Sequence, residues 1–304
     1  MAMGTLRKFL SYSEIKTKIT SVLPFFMTLA FLYASSMRID PLRSAVFFAG
    51  MLLFDLTATT INNYNDTKKN GLPLPFPRRR AFWITVLLLV LSTALGIYLV
   101  CLTDVVVLLL GGLCFLFGIL YSWGPVPISH SPYGEVISGL FYGVLIPVII
   151  VYINDPAALL SFTISLEQLT VSVQVVPAFG LALLAVAPFC LTANIMLANN
   201  ICDVERDARV HRYTLAFYLG RKALYLFAGL YYIAYLSVVA LVIFGYLHAL
   251  SLLLLVTLIP VQKNISLFFR KQVKEETFIV SVKNFIIFLL THTVLIAAGG
   301  LLTL

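Results

Sequence analysis

Nine apolar stretches, each close to the length of about 20 residues that spans a bilayer as a helix, divide this chain from end to end. They run roughly Ile19–Met37, Ser44–Tyr64, Ala81–Cys101, Val105–Ser122, Glu135–Ile153, Val176–Asn199, Ala223–Tyr246, Leu250–Phe269 and Lys283–Leu304. With 61% hydrophobic and 11% charged residues over 304 positions, the chain has more apolar surface than a water-soluble core can enclose. The expected fold class is an all-α integral membrane protein with nine transmembrane helices. Residues 1–304 form one membrane domain, with the lipid bilayer as its solvent and no soluble domain between the spans.

Positive charge orients the bundle, because loops rich in Lys and Arg stay cytoplasmic. If the N-terminus starts inside, all of the 21 Lys and Arg residues except Arg38 and Arg43 fall in cytoplasmic segments. Removing an internal span would invert every later loop and destroy that bias. The same pattern favours reading the N-terminal stretch as a retained span over a cleaved signal. A multi-pass protein of the cell membrane is expected, with its N-terminus cytoplasmic and its C-terminus outside. The net charge of +8 is explained by anionic lipid beside those loops, and no nucleic-acid partner is expected. Cys101, Cys114, Cys190 and Cys202 lack metal-site or disulfide spacing and read as packing thiols. The connection between the fifth and sixth spans carries no Lys or Arg and reads as an amphipathic segment on the outer interface.

Two polar nonapeptides interrupt this pattern. "NNYNDTKKN" (Asn62 to Asn70) and "NNICDVERD" (Asn199 to Asp207) share the order N-N-x-x-D-x-x-x-(N/D), and each closes a span. They end spans two and six, so both point the same way, as in a parallel duplication of four helices with a ninth added. On a helix, positions i, i+4 and i+8 form one slanting stripe. Asn62, Asp66 and Asn70 make one stripe; Asn199, Asp203 and Asp207 make the other. Each lies at a helix C-terminus, where the macrodipole disfavours a carboxylate by about 0.3–1 kcal/mol, so a cation is needed nearby.

Three readings compete for the boxes: solvated helix ends, an ion pathway, and a hard-cation site. Recurrence of the same Asn/Asp order argues against the first. A transporter would more naturally put acids at the bilayer midplane. Carboxylate and amide oxygens suit Mg²⁺, which takes one or two carboxylates and completes its shell with water and substrate phosphate. Lys68, Lys69, Arg78, Arg79 and Arg80 follow the first box, and Arg206, Arg209 and Arg212 lie in or after the second. Carboxylates for a cation beside bases for an anion describe a diphosphate site. The lipid setting implies a diphosphate with a hydrophobic tail.

These boxes resemble the two aspartate-rich motifs of the UbiA superfamily of intramembrane prenyltransferases, N-x-x-x-D-x-x-x-D and D-x-x-x-D, and the nine-helix count is also that family's. The resemblance covers essentially the whole chain. It implies a UbiA-type bundle with cytoplasmic cap loops, which binds an isoprenyl diphosphate through Mg²⁺ and attaches the chain to an aromatic acceptor. "SWGPVPISHSPYGEV" (Ser122 to Val136) resembles the G-P-x-P-x-x-Y-x-G-L-G-E segment of the 1,4-dihydroxy-2-naphthoate branch at Gly124, Pro125, Pro127, Gly134 and Glu135. "TLAFYLG" (Thr214 to Gly220) resembles that branch's T-L-A-V-x-L-G, and Lys16 and Thr17 carry a looser match at the first span. The Y-x-x-x-K element of the 4-hydroxybenzoate branch is missing, because Tyr121 is followed by Pro125.

By this resemblance Asp66, Asp203 and Asp207 are the catalytic candidates, with Asn62 and Asn199 completing the metal set. Lys68, Lys69, Arg206 and Arg209 are the diphosphate-binding candidates. Tyr64, Tyr121, His130, Glu135 and Tyr142 are candidates for the acceptor side. Implied substrates are polyprenyl diphosphate and 1,4-dihydroxy-2-naphthoate, with loss of CO₂ and diphosphate leading to demethylmenaquinone. Prenylation of another acceptor such as 4-hydroxybenzoate, or a cation-coupled transporter, remains open at this stage. Departures from the pattern are Asn70 for the usual third acid, His130 for Tyr, Pro132 for Gly and Tyr133 for Leu. Glu205 faces away from the second stripe and is assigned to solvent or a basic neighbour.

Overall fold

The structure is a computed structural model that describes residues 4–69, 73–123, 127–164 and 169–303. The side chains of Asp66, Lys68, Lys69, residues 160–169 and Val171 lie outside that description, as do Asn70, Gly124 and Pro125. Among the described residues nine helices are long and apolar enough to cross a membrane. They are α1 (Ile15–Ala34), α2 (Pro41–Lys69), α3 (Arg78–Leu102), α4 (Val105–Ser122), α5 (Gly134–Asn154), α6 (Val175–Arg209), α7 (Lys222–Ile243), α8 (Ala249–Arg270) and α9 (Ile279–Thr303). All nine expected spans are present, and α6 continues through the whole second box.

The connection between the fifth and sixth spans, expected to be an amphipathic segment on the outer interface, folds as a two-stranded antiparallel hairpin, β1 (Leu160–Ile164) and β2 (Leu169–Val173). Leu-Ser-Phe-Thr-Ile and Leu-Thr-Val-Ser-Val alternate with period two, a strand signal rather than a helical one.

Helices in lipid gain little from the hydrophobic effect against one another, so close backbone approach and van der Waals packing hold the bundle. Gly139 and Gly143 of α5 lie against Phe189 of α6, where a Cβ on Gly143 would stand 2.2 Å from the Phe189 backbone nitrogen. Gly300 of α9 meets Ala34 of α1 in the same manner, at 2.8 Å. The larger core cluster gathers Met27, Leu32, Leu184, Phe227, Phe268, Phe285 and Phe288 from α1, α6, α7, α8 and α9. On the other flank α3 and α4 turn Leu87, Val90, Leu109 and Leu116 outward toward lipid. Gly143→Ala is expected to lower the thermal midpoint in detergent, because a backbone atom cannot yield as a side chain can; overpacking of this kind costs about 1–3 kcal/mol. Gly229→Ala in α7 meets nothing within 4 Å and is the matched control, expected to be neutral.

Opposite Phe189, α5 carries a π-helical stretch, Leu140–Leu145. Such stretches shift the side chains that follow relative to a regular helix and recur at functional sites. This one contains Tyr142, which reaches α2.

Candidate functional site

α1 to α6 enclose a cavity of about 840 Å³ that opens among the two polar boxes, within the size range of small-molecule sites. At its mouth stand Asn62 of α2 and Asn199, Asp203 and Arg206 of α6, joined by Arg212 and Lys274. The second box thus presents its first two stripe positions to the cavity, and the first box contributes Asn62. Deeper in, the lining becomes apolar, with Phe47, Met51, Leu99, Val107 and Phe115 among it. Gly96, Gly111 and Gly112 also line this part; a Cβ at any of them would meet nothing within 4 Å, so they keep the space between α3 and α4 open.

The electrostatics at the mouth are set by Asp203. Its carboxylate is buried and takes a hydrogen bond from Lys274 Nζ, while Arg206 Nη1 lies 3.9 Å away. Lys274, in the α8–α9 connection, was not singled out from the sequence; only folding brings that connection over α6. Asp207, one turn further, turns from the cavity lining toward Arg212, whose Nε lies 3.5 Å from Oδ2. That oxygen is buried and accepts no hydrogen bond.

Arg212 knits together the loops at this end of the bundle. Its Nε donates to Ser129 O at 3.0 Å and its Nη2 to Asn200 Oδ1 at 3.4 Å. Asn200 Nδ2 in turn donates to Glu135 Oε1 at 2.8 Å, and Tyr213 N donates to His130 O at 3.2 Å. Glu135 therefore braces α5 against the second box from behind the cavity lining. The sequence segments around Ser129–Glu135 and Arg212–Gly220 become neighbours through these bonds.

The remaining candidates divide by position. Tyr121 and Tyr142 line the cavity, whereas Tyr64 and His130 are not among its lining residues. Tyr64 packs on Phe82 and carries the Arg78 guanidinium 4.4 Å above its ring. Arg209 and Glu205 are exposed. Asp66, Lys68 and Lys69 have side chains outside the described set. Tyr12, just ahead of α1, is buried; its hydroxyl lies 3.1 Å from Thr60 O and 3.0 Å from Thr85 Oγ1. Burial pushes that phenol's pKa above its ordinary value. It ties the N-terminal helix Thr5–Tyr12 to α2 and α3 beside Asn63, which donates to Tyr12 O at 2.9 Å.

A buried polar cluster of the cavity lies outside both boxes and was not among the sequence-predicted site residues. Asp55 lies in the middle of the apolar run of α2 and pairs with Lys18 of α1 at 2.8 Å, both side chains about 5% exposed or less. Lys18 also donates to Asp55 O at 3.0 Å and to Thr59 Oγ1 at 2.5 Å. Ser21 Oγ lies 2.7 Å from Asp55 Oδ2, and Tyr142 donates to Oδ1 at 2.8 Å. A lone acid inside a span is a functional signal in its own right, and Asp55 carried that signal in the sequence.

The donor set suits a hard divalent cation. Asp203, Asn62 and Asn199 bring carboxylate and amide oxygens to one mouth, whereas Oδ2 of Asp207 faces Arg212 outside the lining. Among the described residues no three His, Cys, Asp or Glu side chains converge.

A UbiA prenyltransferase family profile matches residues 22–289. This chain belongs to the UbiA prenyltransferase family. Within curated proteins, this UbiA chain is 28% identical over 221 residues to a 1,4-dihydroxy-2-naphthoate octaprenyltransferase of Bacillus subtilis (strain 168), a match covering 68% of this chain and 65% of the relative. It is 29% identical over 150 residues to a protein of the same name from Mycobacterium leprae (strain TN), covering 49% of this chain and 44% of that one. The matched stretches thus span less than two thirds of those relatives' length. Among solved structures, the fold is similar to that of a digeranylgeranylglyceryl phosphate synthase study, with a TM-score of 0.64, 18% identity and coverage of 98% and 99% of the two chains. A UbiA homolog from Archaeoglobus fulgidus bound to GPP and Mg²⁺ superposes with a TM-score of 0.63 at 15% identity, covering 97% of this chain and 98% of that one. At such identities these likenesses establish the UbiA fold.

Proposed function

We propose that this UbiA protein transfers a polyprenyl chain from polyprenyl diphosphate to 1,4-dihydroxy-2-naphthoate, releasing diphosphate and CO₂ and leading to demethylmenaquinol. The observation that carries this reading is the cavity: carboxylates and cations meet at its mouth, and an apolar, glycine-lined space extends into the membrane from there. A lipid-tailed diphosphate has that same division of character. The naphthoate acceptor is supported by the names of the Bacillus and Mycobacterium relatives and by the Ser122–Val136 segment.

In this reading Asp66, Asp203 and Asp207, with Asn62 and Asn199, would hold Mg²⁺. When bound, the ion supplies neutralisation of charge on the departing diphosphate. Lys274, Arg206 and Arg212 bind the diphosphate oxygens by charge-assisted hydrogen bonds, joined by Lys68, Lys69 and Arg209. The apolar lining aligns the tail and keeps water from the allylic carbon as its C–O bond breaks. Tyr121 and Tyr142 flank the acceptor. Residues 1–304 act as one membrane domain, with the mouth on the cytoplasmic side of the cell membrane.

The test is turnover by purified protein supplied with polyprenyl diphosphate, Mg²⁺ and either 1,4-dihydroxy-2-naphthoate or 4-hydroxybenzoate. Prenylated naphthoate product and diphosphate are expected, both lost on adding EDTA and restored by Mg²⁺. Product from 4-hydroxybenzoate alone would transfer the chain to the other acceptor class.

A further inference from the structure

Resting on that reading, we infer that Tyr142 selects an aromatic acceptor by its free hydroxyl, accepting a hydrogen bond from the ligand through a phenol oxygen whose own proton is committed to Asp55. Tyr142 has one O–H to give, and a carboxylate held in an ion pair can only accept it. The 2.8 Å bond to Asp55 Oδ1 therefore fixes the direction of the Tyr142 hydroxyl. What remains on that oxygen is lone pairs.

The rest of the network cannot substitute for Tyr142. All three ammonium hydrogens of Lys18 are engaged, by Asp55 Oδ1, Asp55 O and Thr59 Oγ1. Asp55 is answered on both oxygens, by Lys18 and Tyr142 on one and Ser21 on the other. Lys18, Asp55 and Ser21 line the cavity together with Tyr142, yet they act as positioning residues that hold the phenol's polarity. A phenol oxygen offering lone pairs alone welcomes a hydroxyl and repels a carbonyl or an ether oxygen. It would thus accept the reduced, dihydroxy form of a naphthoid ring and reject the oxidised dione, because a site built to bond a hydroxyl discriminates strongly against an analogue lacking it.

Equilibrium binding decides the inference, with 1,4-dihydroxy-2-naphthoate and 1,4-dimethoxy-2-naphthoate as anaerobic probes of the full-length protein in detergent. Wild-type protein is expected to bind the dihydroxy compound at least about tenfold more tightly, the scale of one hydrogen bond with its partner left unpaired. Tyr142→Phe is expected to bring the two within about threefold by weakening the dihydroxy compound, while the affinity for polyprenyl diphosphate is unchanged. A merely steric preference would persist in Tyr142→Phe, and an unchanged ratio overturns the inference. So does absence of preference in the wild type. Failure of the proposed reaction shows separately, as missing prenylated product while this binding preference stands.

Discussion

Asp203→Asn is expected to lower the rate of diphosphate release by about 10²- to 10³-fold, the scale on which loss of one electrostatic stabiliser acts in a sheltered site. Asp203 is the buried carboxylate at the cavity mouth on which Lys274 and Arg206 converge. An amide of the same shape keeps the packing but removes the charge that pairs with both cations and that a divalent ion needs. Because Lys274 and Arg206 are then released to meet an anionic ligand, the KM for polyprenyl diphosphate is expected to stay level or fall while kcat collapses. That split separates loss of transition-state stabilisation from loss of substrate binding. Steady-state kinetics with a diphosphate-release assay reads it; retained kcat would remove Asp203 from the proposed metal set. Lys274→Met should show the opposite bias, raising KM more than it lowers kcat.

Asp55→Ala is expected to be the most destabilising substitution at the cavity. It would leave the Lys18 ammonium, 5% exposed, without its anion, and breaking one side of a buried ion pair costs about 3–5 kcal/mol. Replacing both partners by apolar residues of similar size is often near neutral, so Lys18→Met with Asp55→Leu should recover most of the loss. Thermal unfolding of the purified protein in detergent compares the two. If the double variant unfolds as early as the single one, the pair matters through something other than its charge. The recovered double variant is nevertheless expected to lose acceptor discrimination, because Tyr142 then has no carboxylate to orient it.

The two results probe parts of the site that were unequally visible in the sequence. Asp203 stands in a nonapeptide repeated at two helix ends, a pattern that announces itself without any knowledge of packing. Asp55 carried a weaker cue, a single acid inside an apolar span, and its partner Lys18 lies 37 positions away. Lys274 offered none: it is one of several loop lysines until the α8–α9 connection folds over α6. The β1–β2 hairpin was readable in the alternation of Ser and Thr with apolar residues, because a period of two is local to the segment.

The nine spans follow from the chain alone because transfer into lipid is local, each run of about 20 apolar residues carrying its own free energy of insertion. The box residues were legible for a similar reason, since a helix with 3.6 residues per turn fixes which side chains share a stripe. Which stripe positions face a ligand is a property of neighbouring helices. Glycine contacts such as Gly143 on Phe189 set how closely α5 approaches α6. Arg212 draws Asp207 away from the cavity lining, while Lys274 caps Asp203 at the mouth. Such pairings depend on distances between segments far apart in the chain, and Coulomb and hydrogen-bond energies count only once packing has brought those segments within a few ångströms and excluded water.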